Sequence, residues 1–169
     1  SRCSMPVVFD NFVWLSDDEL LAVVKQRVPT FDGTLPVNTE VTSYMTGVLQ
    51  RLLDERQIRG RVEFALHNNQ TTGKSQYLFS VKDTGLRVCA LRVTGASVIP
   101  ESQLVEAAAE LTRRDYSRLH LTEFANGTLR TMYRQRGYWR AEFRDPTATV
   151  GTTSDACAGV SVTLRVDEG

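Results

Sequence analysis

The sequence predicts an α+β protein built as two tandem β-α-α-β-β units, residues 1–85 and 86–169, each a three-stranded mixed sheet covered on one face by two helices. Three observations predict it. Residues 121–144 read as an amphipathic helix that stops at a glycine and turns into a strand. Residues 47–67 repeat that design, and RVEF at 61–64 answers RAEF at 140–143; an internal period of this kind reports the architecture. Each half also closes on an alternating stretch, SQYLFSVKD and GVSVTLRVDE, the period of a half-buried strand.

The elements follow in order. Residues 1–6 read as a frayed lead-in, and VVFDNFVWL, β-branched and aromatic, suits a strand. Ser16 opens a capping box closed by Glu19. Asp17, Asp18 and Glu19 form an acidic cluster that is read as first-turn partners of the helix dipole, and Leu20, Leu21 and Val24 face inward. Pro29, Gly33 and Pro36 mark a loop over 28–37. Asn38 or Thr39 opens a second helix that runs to about Gln57, and Gly60 ends it. In the strand 61–67, Val62, Phe64 and Leu66 form one face, and Arg61, Glu63, Ala65 and His67 the other. The polar run HNNQTTGKS turns the chain into a strand with Tyr77, Phe79 and Val81 on one face.

The second unit restarts with LRVCALRVTG. Pro100 sits in the first turn of PESQLVEAAAELTRR, an Ala- and Leu-rich helix of high propensity. DYSRLH links it to the helix 121–136, with Thr122 as cap and Leu121, Phe124, Thr128, Leu129 and Met132 as its apolar stripe. Arg134 and Arg136 occupy the last turn, where cations are favoured, and Gly137 supplies the stop. In the strand 138–145, Trp139, Ala141 and Phe143 alternate with Arg140, Glu142 and Arg144. Pro146 and TATVGTTSDACA read as a long loop before the final strand, where Val160, Val162, Leu164 and Val166 alternate.

In each unit the last strand is expected between the other two and parallel to the first. The second strand then becomes an edge with unpaired N–H and C=O groups. The candidate edges are 61–67 and 138–144. Arg61, Glu63, Ala65 and His67, with Tyr138, Arg140, Glu142 and Arg144, are the candidate contact residues. The same charges have a second reading, as protection against edge-to-edge aggregation.

Cys89 and Cys157 each precede or open a strand, and those strands are expected as parallel neighbours. A bridge between them would close a loop of nearly seventy residues and contribute roughly 4 kcal/mol; two buried free thiols are the alternative. Cys3 has no counterpart in its own unit and is expected to be free.

Twenty basic and 20 acidic residues give a formal net charge of zero, which argues against a general nucleic-acid binder. No apolar run is long enough for a membrane helix, and no signal peptide is visible. His67 and His120 lie in different units with no second ligand at metal spacing. No nucleophile elbow or phosphate loop occurs, so neither catalysis nor a cofactor is expected. Asp54 and Glu55 are read as a solvated helix face. Asn69 and Asn126 begin glycosylation triplets, and Asn126 falls within a predicted helix. Tyr138 and Trp139 beside Arg136 and Arg140 admit a base-stacking reading, against which the strand alternation places one of them in the core.

The phrase Y-RQR-GY-W-R-A at 133–141, the strand endings VKDTG and LRVTG, and the closing VDEG resemble POTRA domains. These are the periplasmic, polypeptide-transport-associated modules of Omp85 outer-membrane assembly and translocation proteins. The resemblance covers nearly the whole chain as two copies and is strongest in 86–169. The first copy departs from it, its helix ending in DERQIRG without the tyrosine or the GY pair. The resemblance implies a periplasmic receptor or scaffold, part of an outer-membrane protein whose barrel is absent from this chain. It implies that unfolded outer-membrane protein precursors, accessory lipoproteins or neighbouring POTRA modules are bound by strand addition at a sheet edge. The other expectation is a cell-division or two-partner-secretion scaffold that binds one folded partner.

Overall fold

The computed structural model describes residues 3–69, 72–151 and 158–169. The chain divides into two compact units, Ser1–Thr84 and Gly85–Gly169.

In the first unit the elements are β1 (Ser4–Phe9), α1 (Asp17–Arg27), β2 (Thr34–Pro36), α2 (Thr39–Glu55), β3 (Arg61–Asn68) and β4 (Ser75–Lys82). The strand order is β2-β1-β4-β3. β4 runs parallel to β1 and antiparallel to β3, the central placement expected for the last strand. The sheet has four strands instead of the expected three. Asp32 explains the addition: its carboxylate accepts from the Thr34 N–H at 2.9 Å and the Thr34 hydroxyl at 2.7 Å. That turn sends Thr34–Pro36 back along Ser4–Pro6, so three residues of the 28–37 segment read as loop, and part of the lead-in, are strand. The stretch VVFDNFVWL is in turn cut short after Phe9. The Asn11 side-chain amide donates to the Val81 carbonyl at 2.8 Å and accepts from the Val81 N–H at 2.7 Å. This takes the place of a continuing ladder and leaves Phe12 buried in the core.

α1 starts at Ser16, whose hydroxyl accepts from the Glu19 N–H; α2 starts at Asn38, whose side chain accepts from the Glu40 N–H at 2.7 Å. Leu20 and Val24 of α1 and Met45, Leu49, Leu52 and Leu53 of α2 pack on Val62, Tyr77, Phe79 and Val81. α2 stops before Gly60. Gln57 takes the left-handed conformation (φ 56°), and the Ile58 N–H returns to the Leu53 carbonyl at 2.9 Å, the bond of a Schellman stop. Gly60 serves another purpose. A Cβ there would lie 2.3 Å from Val81 Cγ1, so the chain enters β3 only because this residue has no side chain.

The second unit comprises β5 (Val88–Thr94), α3 (Glu101–Ala107), a 3₁₀ turn (Ala109–Arg113), α4 (Arg118–Phe124), a π-helical turn (Ala125–Leu129), α5 (Arg130–Arg134), β6 (Glu142–Val150) and β7 (Val160–Asp167). The strand order is β5-β7-β6, with β7 parallel to β5 and antiparallel to β6. The helix read over PESQLVEAAAELTRR ends early because the Val88 N–H bonds the Arg114 carbonyl at 3.0 Å and Arg87 bridges Asp115. These tertiary bonds tighten the last turns against local propensity. The following helix begins at Ser117, whose hydroxyl accepts from the His120 N–H at 3.2 Å, not at Thr122. It widens to a π turn around Asn126 and Gly127, two weak helix formers. Gly137 (φ 86°) ends it as expected, with the Tyr138 N–H on the Tyr133 carbonyl at 2.9 Å. Leu104, Leu129, Tyr133, Val93 and Leu164 form the core.

Cys3 is exposed and free, and Cys89 is disulfide-bonded. Cys157 lies outside the described residues, as does part of the run read as a loop after Pro146. The first four residues of that run, 147–150, are strand, since β6 continues to Val150.

Candidate functional site

β3 is an edge strand that pairs with β4 alone. Three observations fix which of its main-chain groups are spoken for. Val81 of β4 bonds Asn11, and the Phe79 carbonyl accepts from the Asp10 N–H at 2.9 Å; both point toward β1. The Val62 N–H donates to the Gln50 side chain at 2.8 Å, away from β4. Because main-chain groups alternate in direction along an antiparallel strand, Arg61, Glu63, Ala65 and His67 bond β4. Val62, Phe64 and Leu66 turn their N–H and C=O groups to the open side. The residues singled out in the sequence therefore carry the ladder, and the intervening residues carry the free edge. No described residue bonds the outward main-chain groups of Phe64 or Leu66.

The side chains strengthen the contrast. Val62, Phe64 and Leu66 face the helix side of the sheet, but exposure rises along the strand from 5% at Val62 to 40% at Phe64 and 59% at Leu66. Phe64 keeps edge-on contact with Tyr77, ring centroids 6.4 Å apart. On the opposite face, Arg61 pairs with Glu63 at 2.8 Å and approaches Asp83 at 3.7 Å. The open edge is thus regular, apolar on one face and charge-balanced at its start.

β6 is also an edge, of a different kind. Its register slips between Arg144 and Thr147, where Asp145 adopts φ 52° and Pro146 has no N–H to offer. Bulges, proline and charge are the features that discourage strand addition. Glu142 stands opposite Asp167 and Arg144 opposite Arg165. These like charges are offset by Arg144–Glu142 at 2.5 Å and Arg165–Asp145 at 3.6 Å. Tyr138 and Arg140 precede β6 and are not edge residues; they lie in the turn after α5, next to Trp139. Trp139 is 68% exposed and Tyr138 38%, with the Arg134 guanidinium 5.8 Å from the Trp139 ring centre, so neither half of the Tyr138–Trp139 pair is core.

A cluster that the sequence did not disclose surrounds Glu168. Its carboxylate accepts from the Ser97 hydroxyl at 2.6 Å, the Tyr133 hydroxyl at 2.7 Å and the Val98 N–H at 2.9 Å. Burial alone would raise the Glu168 carboxyl; the bonds from Ser97, Tyr133 and Val98 outweigh it and hold it at about 2. Burial first, then the hydrogen bond to Glu168, push the Tyr133 phenol well above its ordinary value. This arrangement fastens the end of β7 to Tyr133 of α5 and to the Ser97–Val98 segment.

A pocket bounded by Val88, Leu91, Tyr116, His120, Leu121 and Val162 has a volume of about 20 Å³, room for one water. Ligand sites are an order of magnitude larger, about 300–1,000 Å³. Among the described residues no group of His, Cys, Asp and Glu is placed to hold a metal, and no helix is long and apolar enough to cross a membrane.

Each unit is thus a mixed sheet beneath a helical layer, its last strand (β4 or β7) central and the strand before it (β3 or β6) at an edge. The chain is similar in fold to POTRA modules of Omp85 and BamA proteins along its full length. The N-terminal domain of Omp85 from the cyanobacterium Thermosynechococcus elongatus matches at 19% identity and TM-score 0.45, over 100% of this chain and 65% of that one. POTRA1-2 of Omp85 from Anabaena matches at 16% and 0.42, over 100% and 98%. POTRA3-5 of Haemophilus influenzae BamA matches at 14% and 0.40, over 99% and 68%. Likeness at this level concerns the fold and assigns no function. No protein-family model and no curated protein matches the chain.

Proposed function

We propose that the chain is a pair of non-catalytic, POTRA-like periplasmic scaffold modules, 1–85 and 86–169, that bind extended polypeptide by strand addition. The observation that carries this reading is the open row of main-chain groups on β3, flanked by exposed Phe64 and Leu66. A sheet edge recruits an extended segment through main-chain hydrogen bonds and lets side-chain contacts set preference. Unfolded outer-membrane protein precursors fit, because their barrel strands alternate apolar and polar residues. In this reading β3 is the working edge and β6 a protected one, the barrel belongs to another part of the protein, and no cofactor takes part. Accessory lipoproteins or neighbouring modules are further occupants of the same edge.

Leu66→Pro tests the reading. It removes an outward N–H and no ladder bond, which edge strands tolerate. Peptide binding measured by fluorescence anisotropy should fall at least tenfold with the fold intact by circular dichroism; undiminished binding would refute strand addition at β3.

Trp139 and Arg134 favour a second reading, in which one folded partner docks on the second unit. Exposed Trp and Arg are the residue types that dominate such interfaces. Trp139→Ala should then abolish capture of a stoichiometric partner and leave peptide binding unchanged.

A further inference from the structure

We propose that Gln50 sets the register of the guest strand, an assignment that rests on strand addition at β3. Its side-chain amide fills the first pairing position of the edge and stops the added ladder there. Gln50 Nε2 donates to the Gly60 carbonyl at 3.1 Å, and Gln50 Oε1 accepts from the Val62 N–H at 2.8 Å. A primary amide presents the same donor and acceptor as a peptide group, so α2 already supplies what the next residue of a guest would supply. Asp54 Oδ1 also accepts from Nε2 at 3.1 Å. Two acceptors on the nitrogen and one donor on the oxygen leave a single orientation for the amide.

The filled position defines the occupant. The groups left open are the Val62 carbonyl and the N–H and C=O of Phe64 and Leu66. They suit an extended segment of about four residues, since successive residues on one strand alternate in direction. Phe64 and Leu66 lie on one face at alternate positions, both exposed. Guest residues directly opposite them share that face, so the preferred segment carries apolar side chains at i and i+2. A longer segment must displace Gln50 or end beside it.

Two synthetic peptides of alternating valine and threonine bracketed by lysines, about four and about eight residues long, provide the test. Binding and residue-resolved amide exchange are read on the whole chain. In the wild type both peptides bind with similar affinity and slow exchange at Phe64 and Leu66, and the Val62 amide is already slow without peptide. Gln50→Ala frees the Val62 N–H and Gly60 C=O. The long peptide should gain about tenfold, the equivalent of one or two net hydrogen bonds, while the short one is unchanged. Gln50→Glu keeps the acceptor for Val62 and should give the long peptide no gain, which separates register from loss of stability. An unchanged ratio of long to short affinity in Gln50→Ala would overturn the assignment, as would a Val62 amide that exchanges as fast as Phe64 in the free wild type. If neither peptide slows Phe64 or Leu66 in any of the three proteins, strand addition itself fails and the register role with it.

Discussion

Gln57 and Gly137 occupy equivalent places where a helix hands over to an edge strand, β3 or β6, and both adopt positive φ, 56° and 86°. Glycine takes that conformation freely and glutamine does not, so Gln57→Gly should stabilise the first unit by about 1 kcal/mol, read as a rise in the urea midpoint. The stop at Gly137 was legible because glycine announces it; the stop at Gln57 was not, and Gly60 drew the assignment because it is the nearest glycine. Glu168 was equally silent. Its partners Ser97 and Tyr133 lie 71 and 35 residues away, beyond any local pattern. With its carboxyl held at about 2 against an ordinary 4.5, Glu168 contributes stability that is complete above the ordinary value. That contribution is lost as pH falls from there toward 2. The unfolding midpoint of the wild type should therefore drop more steeply below pH 4.5 than that of Glu168→Gln. Tyr133→Phe, which removes one donor to a charged acceptor, should cost about 1.5–3 kcal/mol, measured by urea unfolding at neutral pH.

At the scale of elements, periodicity located the strands 61–67 and 160–166 and the helices that open at Ser16 and Asn38. It failed where a side chain imitates the main chain. Asn11 replaces ladder bonds at the end of β4, Gln50 replaces them at the start of β3, and Asp32 turns the chain into β2. Asn11 and Gln50 have partners fixed only by the fold; Asp32 bonds Thr34 two residues on, but that this turn leads into a strand depends on the pairing with β1. The edge residues show the same limit. Alternation separated Val62, Phe64 and Leu66 from Arg61, Glu63, Ala65 and His67 correctly, but which set faces the open side depends on the pairing with β4. Gly47 offers an element-scale check on α2. A Cβ there meets nothing within 4 Å, so Gly47→Ala should stabilise the helix by about 0.5–1 kcal/mol, seen as a higher thermal midpoint.

The whole molecule repeats one topology with two different edges. The first unit leaves β3 regular, apolar and open; the second bulges β6 at Asp145, places Pro146 in it and sets charges along it. The repeat was visible in RVEF and RAEF, yet those phrases lie in edges of opposite character, because the residues just after them decide accessibility. A Cys89–Cys157 bridge belongs to this scale as well. It would fasten the long β6–β7 connection to β5, and reduction should lower the stability of the second unit by roughly 4 kcal/mol. Peptide mapping under non-reducing conditions should recover the linked pair. Amide exchange across the whole chain, with and without an unfolded barrel-strand segment, tests the open β3 edge most directly. New protection at Phe64 and Leu66, with Ala65, His67 and β6 unchanged, is the predicted result; protection confined to the helices or to β6, with Phe64 and Leu66 still fast, would contradict it.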